Sequence, residues 1–161
     1  MTQVADLLAA AHRADRRTAD MSAEPSRRLA VVTCMDARID VYGLFGLDLG
    51  EAQVIRNAGG RVTDDVLRSL ALSTAVLGVD TVALMHHTGC GLEAVTDAEL
   101  AARTGADLAF LAFDDHADAL ERDVAQLAAT PYLRGLRHIA GLLYDLERGE
   151  VRELNHWERP A

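Results

Sequence analysis

Hydrophobic positions follow two different periods along the chain. Val4, Leu7, Leu8, Ala11 and Ala14 recur at three- and four-residue spacings, with Arg13, Asp15, Arg16 and Arg17 on the polar side, which predicts an amphipathic helix over residues 3–20. Ser22, Ala23, Glu24, Pro25 and Ser26 break it. Leu29-Ala30-Val31-Val32-Thr33 is a short apolar run rich in β-branched residues. That is the pattern of a buried strand, and it ends at Cys34. Ala52-Gln53-Val54-Ile55-Arg56 predicts a second strand, stopped by Asn57-Ala58-Gly59-Gly60. A helix is expected from about Thr63 to Leu77, with Thr63 as N-cap, Asp64 and Asp65 at the positive end of the dipole, and Gly78 at the exit. Thr81-Val82-Ala83-Leu84-Met85 is a third strand, ending at His86 and His87. Helical periodicity returns near residues 93–103 and 115–129, closed by Pro131; Leu136 to Tyr144 reads as extended, and Arg148-Gly149 turns the chain into Val151-Arg152-Glu153-Leu154. No internal repeat or low-complexity linker divides residues 1–161, so one domain is expected. Its class is α/β: a mostly parallel β-sheet flanked by helices, with a C-terminal edge strand or hairpin.

Composition narrows the possible partners. Half of the 161 residues are hydrophobic and only 4% are aromatic, so the core must be built from Ala, Val and Leu. The formal net charge of -9 argues against nucleic acid and anionic membrane as partners. The N-terminus carries no cationic start, and no stretch approaches the roughly 20 apolar residues that span a bilayer. A soluble, cytoplasmic protein is the expectation. Its two cysteines, Cys34 and Cys90, then read as metal ligands or reactive thiols rather than a disulfide.

The strand assignment makes those cysteines informative. Ligands of open α/β sheets bind outside the carboxyl ends of the strands, where Cys34, His87 and Cys90 all fall. Singly, each has an ordinary reading: a strand-end cysteine is commonly inert and buried, and a His-x-x-Cys spacing arises by chance. Together they form a three-ligand set of two thiolates and one imidazole with a fourth position open, the pattern of catalytic zinc. Sulfur ligands favour zinc over magnesium or calcium. In an extended chain Cys34, Asp36 and Arg38 would line one wall, placing a carboxylate near the metal and a guanidinium near the carboxylate. A bare Asp-x-Arg is most often a surface pair worth little; two residues from a metal ligand, it points to function.

Cys34-Met35-Asp36-Ala37-Arg38, followed by Arg56-Asn57-Ala58-Gly59 and then His87-Thr88-Gly89-Cys90-Gly91, resembles the paired signature and middle segment of the β-class carbonic anhydrases. The short chain, with Val62-Thr63-Asp64-Asp65 and His86-His87, is similar to the compact bacterial and archaeal branch. The resemblance implies zinc on Cys34, His87 and Cys90, and an Asp36–Arg38 catalytic dyad, with Asp36 a fourth ligand in a closed state. It further implies a homodimer or dimer of dimers in which the N-terminal helix, residues 1–20, packs on the partner subunit. The implied reaction is the reversible hydration of carbon dioxide to bicarbonate and a proton, zinc supplying the hydroxide. Two thiolates offset the charge of the ion, so activity should rise towards alkaline pH. Asp36, oriented by Arg38, would accept the hydrogen bond of the attacking oxygen and aim it. Gly91 would bring a backbone N–H near Asp36, and Gly59 with Gly60 would shape a tight loop beside the cleft. Val31 stands where members with a regulatory bicarbonate pocket carry tryptophan, which argues against that regulation. His86 should pack behind the metal, His12 should be solvated, His116 should start a helix, and Trp157 should anchor the tail. Three rival readings remain: a carbonyl sulfide or carbon disulfide hydrolase, a non-catalytic zinc module closed by Asp36, and thiol chemistry with Cys34 as nucleophile and His87 as base.

Overall fold

The computed structural model describes residues 2–14 and 18–160. Its elements in chain order are α1 (Gln3–Ala14), β1 (Leu29–Cys34), α2 (Val41–Phe45), β2 (Ala52–Asn57), a single 3-10 turn (Ala58–Gly60), α3 (Asp64–Ala75), β3 (Thr81–His87), α4 (Asp97–Thr104), α5 (His116–Ala129), β4 (His138–Asp145) and β5 (Glu150–Glu158). The five strands form one sheet in the order β2-β1-β3-β4-β5. β1 pairs in parallel with β2 and β3, and β3 in parallel with β4; β5 closes the far edge antiparallel to β4. This is the α/β architecture that the strand–helix alternation predicts, with the C-terminal hairpin at the edge.

Strand alternation divides the core into two layers. Ala30, Val32, Val82, Leu84 and Ile139 face α3 and α5, where Leu70, Leu120 and Leu127 are buried against them. Val31, Cys34 and Met85 face the opposite side, with Ile39, Leu47 and Phe113. The parallel register sets Thr33 beside both Arg56 and Met85, and His87 beside Tyr144. Three parallel strands therefore end level with one another, and the loops that follow them share one rim.

The described part of the first helix covers Gln3–Ala14, and residues 18–20, expected in the same helix, are not helical; the part of the expectation that falls on Asp15, Arg16 and Arg17 lies outside the described residues. No residue of α1 is buried, and Val4, Leu7 and Leu8 stand 63%, 65% and 57% exposed. The second predicted helix starts at its Thr63 cap, whose hydroxyl accepts from the Val66 N–H. The helix expected near residues 93–103 begins only at Asp97, after a capping box between Thr96 and Glu99. β5 runs on to Glu158 because it pairs along the whole length of β4, with a bulge between Gly141 and Leu142. Trp157 packs on the core beneath it, as expected for an anchor of the tail.

Candidate metal centre

β1 delivers Cys34 and β3 delivers His87 to the same rim, and the turn after β3 returns Cys90 to them. The Cys34 and Cys90 sulfurs are 4.0 Å apart, and both thiols are free. One donor atom from each of Cys34, His87 and Cys90 lies within 4.8 Å of the other two, and all three residues are buried. Two sulfurs held at about 2.3 Å in a tetrahedral site stand about 3.8 Å apart, so this spacing suits one shared ion. The histidine is prepared as well. Its Nδ1 is 3.0 Å from the Thr88 carbonyl, to which it donates, while the buried Nε2 has no hydrogen-bond partner among the described residues. That tautomer leaves a lone pair for a metal. The donors thus fit zinc in number, type and spacing.

The electrostatics follow from the same contacts. A hydrogen bond from Cys90 holds the Cys34 thiol down at about 4 against the opposing effect of burial, and His87 adds to the lowering. Cys90 is pushed up, first by that hydrogen bond and then by burial. Burial pushes His87 down, but Cys34, the Thr88 carbonyl and Asp36 outweigh it, and the imidazole sits above its ordinary value.

Asp36 and Arg38 do meet, although the chain beyond Cys34 is not extended as expected. Residues 37 and 38 form a turn, with the Ile39 N–H donating to the Asp36 carbonyl at 3.1 Å and the Arg38 N–H to Asp36 Oδ1 at 3.0 Å. The turn brings the guanidinium back onto the carboxylate as a two-pronged pair, Nε to Oδ1 at 2.9 Å and Nη2 to Oδ2 at 2.6 Å. Those hydrogen bonds hold the Asp36 carboxyl well below the usual carboxylate range. Its Oδ2 is 3.8 Å from His87 Nε2, so the carboxylate borders the three donors. A cleft of about 250 Å³ opens there, lined by Cys34, Asp36, Gly59, Cys90, Gly91 and Leu92 among others. Gly91 shares the cleft, but among the described residues no hydrogen bond joins it to Asp36; the carboxylate takes its hydrogen bonds from Arg38.

The middle segment has two structural tasks that spacing did not reveal. Arg56, on β2, donates to three carbonyls of the Cys34 loop: Cys34 at 3.0 Å, Asp36 at 2.6 Å and Ile39 at 3.1 Å. Gly60 sits at φ +67° with the site of a Cβ only 2.9 Å from the Cys34 nitrogen and 3.0 Å from the Met85 carbonyl. Gly59 also has positive φ, at +74°. Behind the centre, Arg61 and Asp123 form a buried ion pair (Nε to Oδ2 2.7 Å) that sequence reading missed, because 62 positions separate partners with no shared motif. His86 faces Asp123 at 3.5 Å and stacks on Phe113 at 5.2 Å, packed behind the metal donors as expected. His116 is the first residue of α5, and His12 is exposed.

A parallel sheet that gathers two thiols and one imidazole at its carboxyl edge, beside a small open cleft, defines a metal-dependent α/β enzyme of the zinc type. Comparison makes this specific: the chain belongs to the carbonic anhydrase family, which it matches over residues 29–131, and within it to the β class. It is 37% identical over 136 residues to beta-carbonic anhydrase 1 of Mycobacterium tuberculosis, covering 81% of this chain and 83% of that protein. The crystal structure of a carbonic anhydrase from Streptococcus mutans superposes with a TM-score of 0.86 at 38% identity, covering 96% of this chain and 99% of the other. A carbon disulfide hydrolase of an Acidianus strain is 42% identical over 76 residues, 47% of this chain and 37% of that protein.

Proposed function

We propose that this protein catalyses the reversible hydration of carbon dioxide to bicarbonate and a proton, with zinc held by Cys34, His87 and Cys90 and with Asp36 and Arg38 as the catalytic pair. The observation that carries the reading is the Asp36 carboxylate, ionised and fixed by Arg38 at the border of the three donors. When bound, zinc would supply the acidity that makes hydroxide available at moderate pH, by lowering the pKa of water far below its bulk value. Two thiolate ligands moderate that effect, so activity should rise towards alkaline pH. The protein's own part is orientation. Asp36 stays a hydrogen-bond acceptor throughout the physiological range, and an acceptor at that point directs the lone pair of an attacking oxygen at carbon dioxide in the cleft. Arg38 fixes both carboxylate oxygens and so holds the carboxylate in one orientation. Leu92, Ala58 and Gly59 line the cleft and give it the apolar character that a non-polar triatomic substrate requires.

Stopped-flow measurement of carbon dioxide hydration on zinc-replete protein, at neutral and alkaline pH, tests the assignment. Fast turnover that collapses in Asp36→Ala with zinc retained is the expected result; turnover independent of Asp36 would remove the dyad from the mechanism. A second reading has a specific support: a carbon disulfide hydrolase is 42% identical to this chain over 76 residues. Turnover of carbonyl sulfide or carbon disulfide without carbon dioxide hydration would establish it instead.

The assembly we propose is a homodimer or dimer of dimers in which α1 packs on the partner subunit, with residues 1–161 folding as one domain; the exposed apolar side of α1 supports this. A reducing, cytoplasmic setting agrees with two unpaired thiols. No helix among the described residues is long and apolar enough to cross a membrane.

A further inference from the structure

We propose that Glu93 is a positioning residue for the catalytic pair, acting on Arg38 through the peptide groups of Gly89. The inference rests on the Asp36–Arg38 reading above and adds a member that no motif contains.

Gly89 is tied from two sides. Its N–H donates to Glu93 Oε2 at 2.9 Å, and its carbonyl accepts from Arg38 Nη2 at 3.1 Å, the same nitrogen that donates to Asp36 Oδ2. Among the described residues Gly89 makes no other hydrogen bond. It has φ +64°, is exposed, and has no atom within 4 Å of the place where a Cβ would stand. A glycine unsupported by packing samples both signs of φ readily, so its conformation depends on its hydrogen bonds, and a charged acceptor makes the stronger kind.

Glu93 is itself held at its backbone by a hydrogen bond, and its carboxylate lies beside His116 without a hydrogen bond to it. Its N–H donates to the Cys90 carbonyl at 3.1 Å, and its Oε2 lies 3.3 Å from His116 Nε2, whose ring packs on Phe113 at 5.0 Å. A continuous series of contacts therefore runs from the start of α5 through Glu93 and Gly89 to Arg38 and Asp36.

Arg38 needs such a tether. Its side chain is 59% exposed, and a long exposed cation keeps its rotamer freedom unless several bonds fix it. The Gly89 carbonyl is a second acceptor for the same Nη2 that donates to Asp36, and so helps to fix the guanidinium. Releasing Gly89 would leave the carboxylate charged but less accurately aimed, which slows turnover and leaves substrate affinity and zinc content nearly unchanged.

The test is a set of variants of the zinc-loaded protein: Glu93→Ala, Glu93→Leu, Glu93→Gln, Arg38→Ala and the Glu93→Ala/Arg38→Ala double variant. Carbon dioxide hydration is assayed together with zinc stoichiometry and the NMR signal of the Arg38 Nε–H. Removing the carboxylate should lower kcat about tenfold with KM nearly constant, full zinc, and faster solvent exchange at Arg38 Nε–H. Glu93→Gln, whose amide oxygen still accepts from Gly89, should recover most of the loss. The double variant should be no slower than Arg38→Ala, because Glu93 acts only through Arg38. Losses that multiply in the double variant, or zinc lost from both Glu93→Ala and Glu93→Leu, would overturn the proposal in favour of a general role in the loop. Full activity in the Glu93 variants while Arg38→Ala is slow would overturn it too, leaving the dyad standing. An Arg38→Ala variant as fast as the parent would instead remove the dyad reading beneath it.

Discussion

Two buried thiols that share a proton in the free protein must both release it to hold a metal, and this makes zinc binding a function of pH. Cys90 is the thiol pushed up, and His87 is held above its ordinary value, so both favour their protonated forms when no metal is bound. Protons compete with zinc at those atoms, and affinity must fall as pH falls. Lowering the pH of the zinc-loaded protein from 8 towards 5 in the presence of a chromogenic chelator should release zinc progressively; occupancy unchanged at pH 5 would contradict the assignment of the donors. At this scale the site was largely legible in the sequence, since Cys34, Asp36, Arg38, His87 and Cys90 lie in two short stretches whose spacing reflects their chemistry. Arg56 and Glu93 were not, because each works on backbone carbonyls or N–H groups, and backbone partners leave no trace in residue identity. The route from Asp36 to Arg38 was also misread: a turn, not an extended wall, joins them.

Among the elements, the 3-10 turn Ala58–Gly60 bears most directly on the centre, since it fills the space behind Cys34 where β1 and β3 end. Gly60 has no room for a side chain there: a Cβ would stand 2.9 Å from the Cys34 nitrogen and the Thr33 carbonyl carbon, at a backbone angle of φ +67°. The obstructing atoms are backbone, which cannot turn aside as a flexible side chain would. Gly60→Ala should therefore destabilise the fold by about 2–4 kcal/mol, read as a lower urea midpoint, and should weaken zinc binding by displacing Cys34. A midpoint equal to that of the parent would show that the strand ends can move apart freely. The strands were legible because their buried runs stand out from their surroundings; α2 was not. Its five residues span little more than one turn and are held by their ends, with Asp40 accepting from the Gly43 N–H and Gly46 in the left-handed region, so no periodicity could develop. Boundaries moved where local chemistry overrode the hydrophobic pattern, as when the Thr96–Glu99 capping box delayed the start of α4.

At the scale of the whole molecule the unresolved business is the apolar stripe of α1. The stripe was legible as the apolar face of an amphipathic helix, and within the single chain Val4, Leu7 and Leu8 are each more than half exposed and no residue of the helix is buried. An isolated twelve-residue helix is marginal in water, so this one needs a surface to pack on, and a second copy of the chain is the surface we propose. Burial of such side chains contributes roughly 1.5–3 kcal/mol each, and a two-fold interface counts every one twice. Charges in the stripe should therefore be strongly dissociating while leaving the sheet and the metal centre untouched. For Leu7→Glu/Leu8→Glu, sedimentation velocity at micromolar concentration should show a smaller particle than the parent, with zinc stoichiometry and far-ultraviolet circular dichroism of the sheet retained. Were the variant to sediment as the parent does, α1 would lie outside the subunit interface, and its apolar face would have to be covered in some other way. Were it to dissociate and lose hydration activity with its zinc still bound, the cleft beside Cys34 would depend on the neighbouring subunit, linking assembly to catalysis.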